Sequence, residues 1–155
     1  MKKDRKQETI IYEDLGFPIR LINVPMRLAI GEWVLDINLG KLQRDILHAL
    51  VYKPHPLTAA EVRFIRKHFE LTTTVFGKAF GVTHAAVLKW ESGRGRIPPT
   101  TEMCLRLFVL DRMRAKYEEF GRLYHRVTIE SLAQSQESVD ESVLEFDASQ
   151  LLASA

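Results

Sequence analysis

Apolar and polar residues alternate from Ile10 to Ile37, in the sets Phe17, Ile19, Leu21, then Met26, Leu28, Ile30, then Trp33, Leu35, Ile37. A period of two lets a strand bury one face, so this stretch predicts short strands. Turns are expected at Leu15-Gly16, Asn23-Val24-Pro25 and Gly31-Glu32. After Asn38, a residue suited to capping, the period changes to three or four through Leu39, Leu42, Ile46 and Leu50, which predicts a helix. Lys53-Pro54-His55-Pro56 cannot continue that helix and marks a domain boundary.

Helical spacing dominates beyond the prolines. Thr58 and Glu61 form a capping-box pair before Val62, Ile65 and Phe69. A short helix from Thr73 carries Phe76 and Phe80 and stops at Gly81; a third, capped by Thr83, turns Val87 and Trp90 inward and stops at Gly93. After Pro98-Pro99 one long helix is predicted from Thr100 to about Arg126, with a buried stripe of Met103, Leu107, Leu110, Met113, Tyr117, Phe120 and Tyr124.

The 155 residues, 46% hydrophobic and 27% charged, suffice for one ordinary core and a small second one, which excludes a large multidomain enzyme. No apolar run approaches the roughly 18 to 20 residues that span a bilayer, and Met1-Lys-Lys-Asp-Arg-Lys leads into no signal-type stretch. A cytoplasmic protein with no membrane partner is the expectation. The one cysteine, Cys104, allows neither an internal disulfide nor a thiolate zinc cage, so no metal and no cofactor are expected. Charge is unevenly distributed. All 22 Lys and Arg lie at or before Arg126; 14 of the 20 acidic residues share that stretch, leaving it at +8, and six follow it, leaving the rest at −6. A basic body suits a polyanion partner, because clustered cations release counterions from a phosphate backbone.

Between the helices lies the informative stretch, Leu71-Thr-Thr-Thr-Val-Phe-Gly-Lys-Ala-Phe-Gly-Val-Thr-His-Ala-Ala-Val-Leu-Lys-Trp-Glu-Ser-Gly. Two short helices that cross steeply need a small residue at the contact, a glycine at the turn and apolar residues that seal the second helix on the first. Gly77, Gly81, Val82, Val87 and Trp90 fill those places, and the Gly-Val-Thr turn with the Trp-Glu-x-Gly end resembles the Xre-type, or lambda-repressor-like, helix-turn-helix family over roughly 57–112. In that register Thr83, His84, Ala85 and Lys89 face the major groove, where Lys donates to guanine, His donates or accepts, and a methyl touches thymine. Arg66, Thr73, Ser92, Arg94 and Arg96 are the candidate phosphate contacts. Thr73 stands where the family has a glutamine. The resemblance also pairs Arg66 with Glu91, bracing the recognition helix.

Catalytic signatures are missing: His48, His55, His68, His84 and His125 show no metal-protease spacing, and there is no nucleophile elbow, phosphate loop or dinucleotide fingerprint. A non-enzyme is therefore expected. In the N-terminal half, Tyr12, Gly16, Leu21, Asn23-Val24 and Gly31-Glu32 resemble two-domain antitoxins of the MqsA/YgiT type, without that family's four zinc cysteines.

The expected fold is α+β. It comprises a basic arm (1–9) that is disordered or lies along DNA, a small β-rich domain with one helix that dimerises or binds toxin (10–53), a helix-turn-helix domain (57–126) and an acidic tail (127–155) that is disordered or forms a helix only with a partner. The expected function is a homodimeric regulator of a palindromic operator, the antitoxin of a type II pair that represses its own operon and captures a small basic toxin. A stand-alone or phage-type repressor, or a helix-turn-helix serving as a protein-interaction module, are the alternatives.

Overall fold

A computed structural model describes residues 4–134 and 143–153 and is mixed α+β, with three strands first, helices after them and a further strand near the C-terminal end. It divides into two compact units, 1–46 with 142–155, and 47–141. The expected division at the proline pair does not hold, because the boundary falls inside helix α1 (Leu39–Val51).

The first unit is a four-stranded sheet around β2 (Ile19–Ala29). Antiparallel β1 (Arg5–Tyr12) lines one edge of β2 from Ile19 to Arg27. The other edge is shared by β3 (Glu32–Leu35), antiparallel at Met26–Ala29, and β4 (Leu144–Asp147), parallel at Ile19–Ile22. The expected turn at Asn23-Val24-Pro25 is instead a bulge within β2. Between Glu8 and Ile10 β1 advances two residues while β2 advances three, from Val24 to Leu21, and Asn23 takes φ 55°. One extra residue reverses the alternation, so Ile19 and Leu21 share a face with Val24 and Met26, and all four are buried. A chain with unbroken alternation would have turned the second pair into water. The hairpin from β2 to β3 then turns on Ile30-Gly31, both at positive φ, as the twist of a two-residue loop requires.

Two further expectations about this unit are corrected. The basic arm is ordered from Arg5 as β1, because its backbone finds a partner in β2; Met1 to Lys3 lie outside the described residues. The tail, expected to be disordered, contributes β4 and a 3-10 turn at Ser149–Leu151, with Ala148 and Leu151 fully buried. Ala148 N–H donates to the Ile22 carbonyl at 2.8 Å, Asn38 N–H to Leu151 at 2.7 Å and Ala153 N–H to Asp36 at 3.0 Å. Residues 135–142 of that tail lie outside the described residues. Asn38 caps α1 as expected, accepting from Lys41 N–H at 3.0 Å, and Leu42 and Ile46 are buried while Leu39 is half exposed.

The second unit holds α2 (Ala59–His68), α3 (Thr73–Ala79), α4 (His84–Glu91), α5 (Pro99–Arg112), α6 (Tyr117–Arg126) and α7 (Ile129–Gln134). Thr58 and Glu61 form the expected capping box. The long helix expected from Thr100 is broken at Arg114, which takes φ 55°. Of its predicted stripe Leu110 is fully buried, but Leu107, Tyr117 and Tyr124 are exposed, and the other buried positions of the two helices are Glu102, Leu105, Arg106, Val109 and Leu123.

Four helices end alike, in a residue at positive φ whose successor donates to the carbonyl three residues inside the helix. The bonds are Leu71 to Arg66, Val82 to Gly77, Arg94 to Lys89 and Ala115 to Leu110, at 2.9 to 3.2 Å. Gly81 and Gly93 fill that left-handed position in α3 and α4, but α2 and α5 place Glu70 and Arg114 there, where a side chain costs about 1 to 2 kcal/mol. Glu70→Gly and Arg114→Gly are each expected to stabilise the unit by about 0.5 to 1 kcal/mol, once the extra freedom of an unfolded glycine is set against the relieved strain. Urea unfolding followed at the buried Trp90 would reveal this, and a neutral or destabilising result would remove the strain argument.

Between α1 and α2 the chain has prolines at 54 and 56, which donate nothing, and it finds partners on α5 instead. Arg106 donates to the carbonyls of Val51 (2.9 Å), Lys53 and His55 (2.8 Å) and to Glu102 (3.0 Å); Glu102 also accepts Leu57 N–H at 3.0 Å. Lys53 pairs with Glu61 at 2.8 Å, and all four charged side chains are buried. Burial pushes the Glu102 carboxyl up and the Arg106 guanidinium down, each partly offset by the other.

Candidate nucleic-acid interface

α3 meets the turn into α4 at Gly77. A Cβ there would stand 2.8 Å from the Val82 carbonyl oxygen, closer than atoms pack, so only glycine fits. Val87 and Trp90 bury the inner face of α4. Behind it the Arg66 guanidinium grips Glu91 through two 2.7 Å bonds, from Nε and Nη2, and Nη1 donates to the Leu71 carbonyl at 2.9 Å. The bond to Glu91 holds Arg66 above the usual arginine range. The expected Arg66–Glu91 pair is thus present and fixes α4 on α2. Three of the five N–H donors of Arg66 are engaged within the protein, and each terminal nitrogen keeps one for the phosphate role also expected of it.

The outer face of α4 carries Ala85, Leu88, Lys89 and Ser92, at the i, i+3, i+4, i+7 spacing of one helical side, and all are exposed. His84 is exposed beside them, its Nδ1 2.8 Å from the hydroxyl of Thr73 on α3. Two candidate residues expected in separate roles are therefore joined, and the bond orients the imidazole. Thr83 caps α4, its hydroxyl accepting from Ala86 N–H at 3.2 Å, so its oxygen serves the helix end first. Ser92 donates to the Lys89 carbonyl at 3.2 Å, and Arg94 is exposed on the loop that closes the helix. Arg96 stands apart: its Nη2 donates to the Leu132 carbonyl on α7 at 2.9 Å, which makes it a helix-end partner more than a phosphate contact.

Leu88 was missing from the residues read in the sequence, yet it is 47% exposed in the middle of the outer face. The signal lay in the neighbouring aromatic: Trp90 is three residues from Val87, so a buried Trp90 takes Val87 inward and turns Leu88 out. Lys78 on α3 is likewise exposed. Residues 47–141 hold fourteen Lys and Arg against eleven Asp and Glu, so the excess of cations lies in the unit that presents this helix. Among the described residues no helix is long and apolar enough to cross a membrane. No protein family, no curated protein and no solved structure matches the chain.

Proposed function

We propose that this chain is a sequence-specific DNA-binding transcriptional regulator, in which α3 and α4 act as a lambda-repressor-like helix-turn-helix. The observation that carries this reading is the outward face of α4. An eight-residue helix presents Ala85, Leu88 and Lys89 to solvent with Ser92 at its C-cap, and its back is anchored by Val87, Trp90 and the two-bond Arg66–Glu91 clamp. A helix of that size enters a major groove, Lys89 and the oriented His84 supply donors to base edges, and Arg94 supplies a phosphate contact. The partner is double-stranded DNA with two-fold symmetry, bound by a homodimer whose half-sites lie about 34 Å apart.

Selection from random duplexes followed by titration across salt concentrations tests this. Lys89→Ala is expected to cost about 1 to 3 kcal/mol on the selected site and little on random DNA, as loss of a base contact does. Arg94→Ala is expected to weaken every sequence alike and to flatten the salt slope by about one unit. If Lys89→Ala weakened selected and random DNA equally, it would not be a reader. The antitoxin role rests on the N-terminal resemblance alone, from which the chain departs in burying the apolar set Ile19, Leu21, Val24 and Met26 where that family has its zinc cysteines. Co-purification of a small basic protein encoded beside the chain is the expected result for an antitoxin.

A further inference from the structure

A cavity of about 430 Å³ opens between the C-terminal part of α1, the end of α5 and the start of α6, and none of its lining comes from α3 or α4. That size suits a small molecule. One side is apolar, formed by Leu110, Met113 and Ala115. The other is charged. Glu119 is the one carboxylate in the lining, and it is already engaged: His48 Nε2 lies 2.5 Å from it, and that bond, with Arg122 nearby, holds the carboxyl below the usual range. Arg122 itself lies 6.0 Å over the Tyr52 ring. Arg114 and Lys116 remain. Both are exposed, and neither makes an ion pair or a side-chain hydrogen bond among the described residues.

Arg114 occupies the left-handed position of the α5–α6 turn, at φ 55°, where α3 and α4 use glycine. Glu70 carries the same strain, so strain alone points to no ligand. Arg114 differs in lining a cavity, the setting in which a strained residue is kept for what its side chain does. Two unanswered cations, two residues apart, repel each other and match a dianion. A phosphomonoester carries a charge of about −1.5 to −2 near pH 7 with three acceptor oxygens, and a guanidinium takes two of those in parallel. A carboxylate would answer a single cation. A nucleic-acid backbone phosphate also carries a single charge, and it brings no apolar body to cover Leu110 and Met113. We propose that this cavity binds a small organic phosphate, its phosphoryl group held by Arg114 and Lys116 and its apolar body laid on Leu110, Met113 and Ala115. Such a site goes beyond the DNA-binding reading and does not depend on it.

Calorimetric titration of the full chain with phenyl phosphate, in the absence of DNA, tests it. One saturable site per chain is expected. Phenol, which lacks the charge, and inorganic phosphate, which lacks the ring, should each bind about tenfold more weakly or worse. Arg114→Gly is expected to lower the affinity for phenyl phosphate about tenfold or more, as loss of a charge-assisted contact does, while the melting temperature holds or rises. Loss of binding there is therefore not loss of fold. Lys116→Ala, which leaves the strained turn untouched, should weaken binding likewise, and Lys116→Arg should retain it. Absence of binding, uptake that never saturates, or an affinity indifferent to both Arg114→Gly and Lys116→Ala overturns the proposal. So does a chain that ignores phenyl phosphate but loses affinity for duplex DNA in these two variants, since the cations would then serve a nucleic-acid backbone.

Discussion

A chain ended at Gln134 is expected to lose the fold of its N-terminal sheet, although every residue of β1, β2 and β3 remains. β4 supplies the parallel neighbour of β2 along Ile19–Ile22, and the residues after it bury Ala148 and Leu151. Leu151→Ala alone should cost about 2 to 5 kcal/mol, as emptying a fully buried leucine site does. Removing the whole segment also strips partners from the Ile22 carbonyl and the Asn38 N–H. Together these losses approach the total stability of a small unit, on the order of 5 to 15 kcal/mol. Hydrogen exchange of the β2 amides measures this directly; unchanged protection after truncation would remove 144–153 from the sheet.

The second large effect is expected at Arg106. Arg106→Met leaves Glu102 buried without its cation and should destabilise the 47–141 unit by about 3 to 5 kcal/mol. Replacing both partners with apolar residues often recovers such a loss, but here it should not. Arg106 also serves the carbonyls of Val51, Lys53 and His55, and Glu102 accepts Leu57 N–H. Those backbone groups have no strand beside them, because Pro54 and Pro56 interrupt the donors a ladder would need. Denaturant unfolding read at Trp90, with Trp33 replaced by Phe so that only one unit reports, should show Arg106→Met and Arg106→Met/Glu102→Leu similarly weakened. Full recovery in the double variant would mean that the ion pair, and not the carbonyl clamp, carries the stability.

Local signals in the sequence located local structure well. Thr58, Thr83 and Asn38 cap the helices they were expected to cap, and Gly81 and Gly93 end α3 and α4, because each of these devices acts within five residues. The break at Arg114 carried no such mark. An arginine occupies a position that glycine usually holds, so α5 and α6 read as one helix and the stripe drawn along them crossed from a buried face to an exposed one. Asn23 misled in the opposite sense, since a bulge and a turn both break alternation and only the partner strand distinguishes them. β4 was illegible for a different reason. Leu144-Glu145-Phe146-Asp147 is too short to announce a strand, and its partner lies near the other end of the sequence. At the candidate site the clamp between Arg66 and Glu91 was readable by resemblance. The diversion of Arg96 to Leu132 was not, since it depends on where α7 ends.

The parallel pairing of β2 with β4 also orders events in time. A chain emerging from the ribosome releases 47–141 as one continuous piece, whose contacts can close as soon as α7 is out. The sheet must wait, with β1 to β3 already made, until Leu144 to Leu151 arrive. During that interval the nascent protein carries a helical unit able to fold and the strands of a sheet that is not yet stable, a period in which a chaperone or an early partner strand has access to β2 that the finished molecule denies.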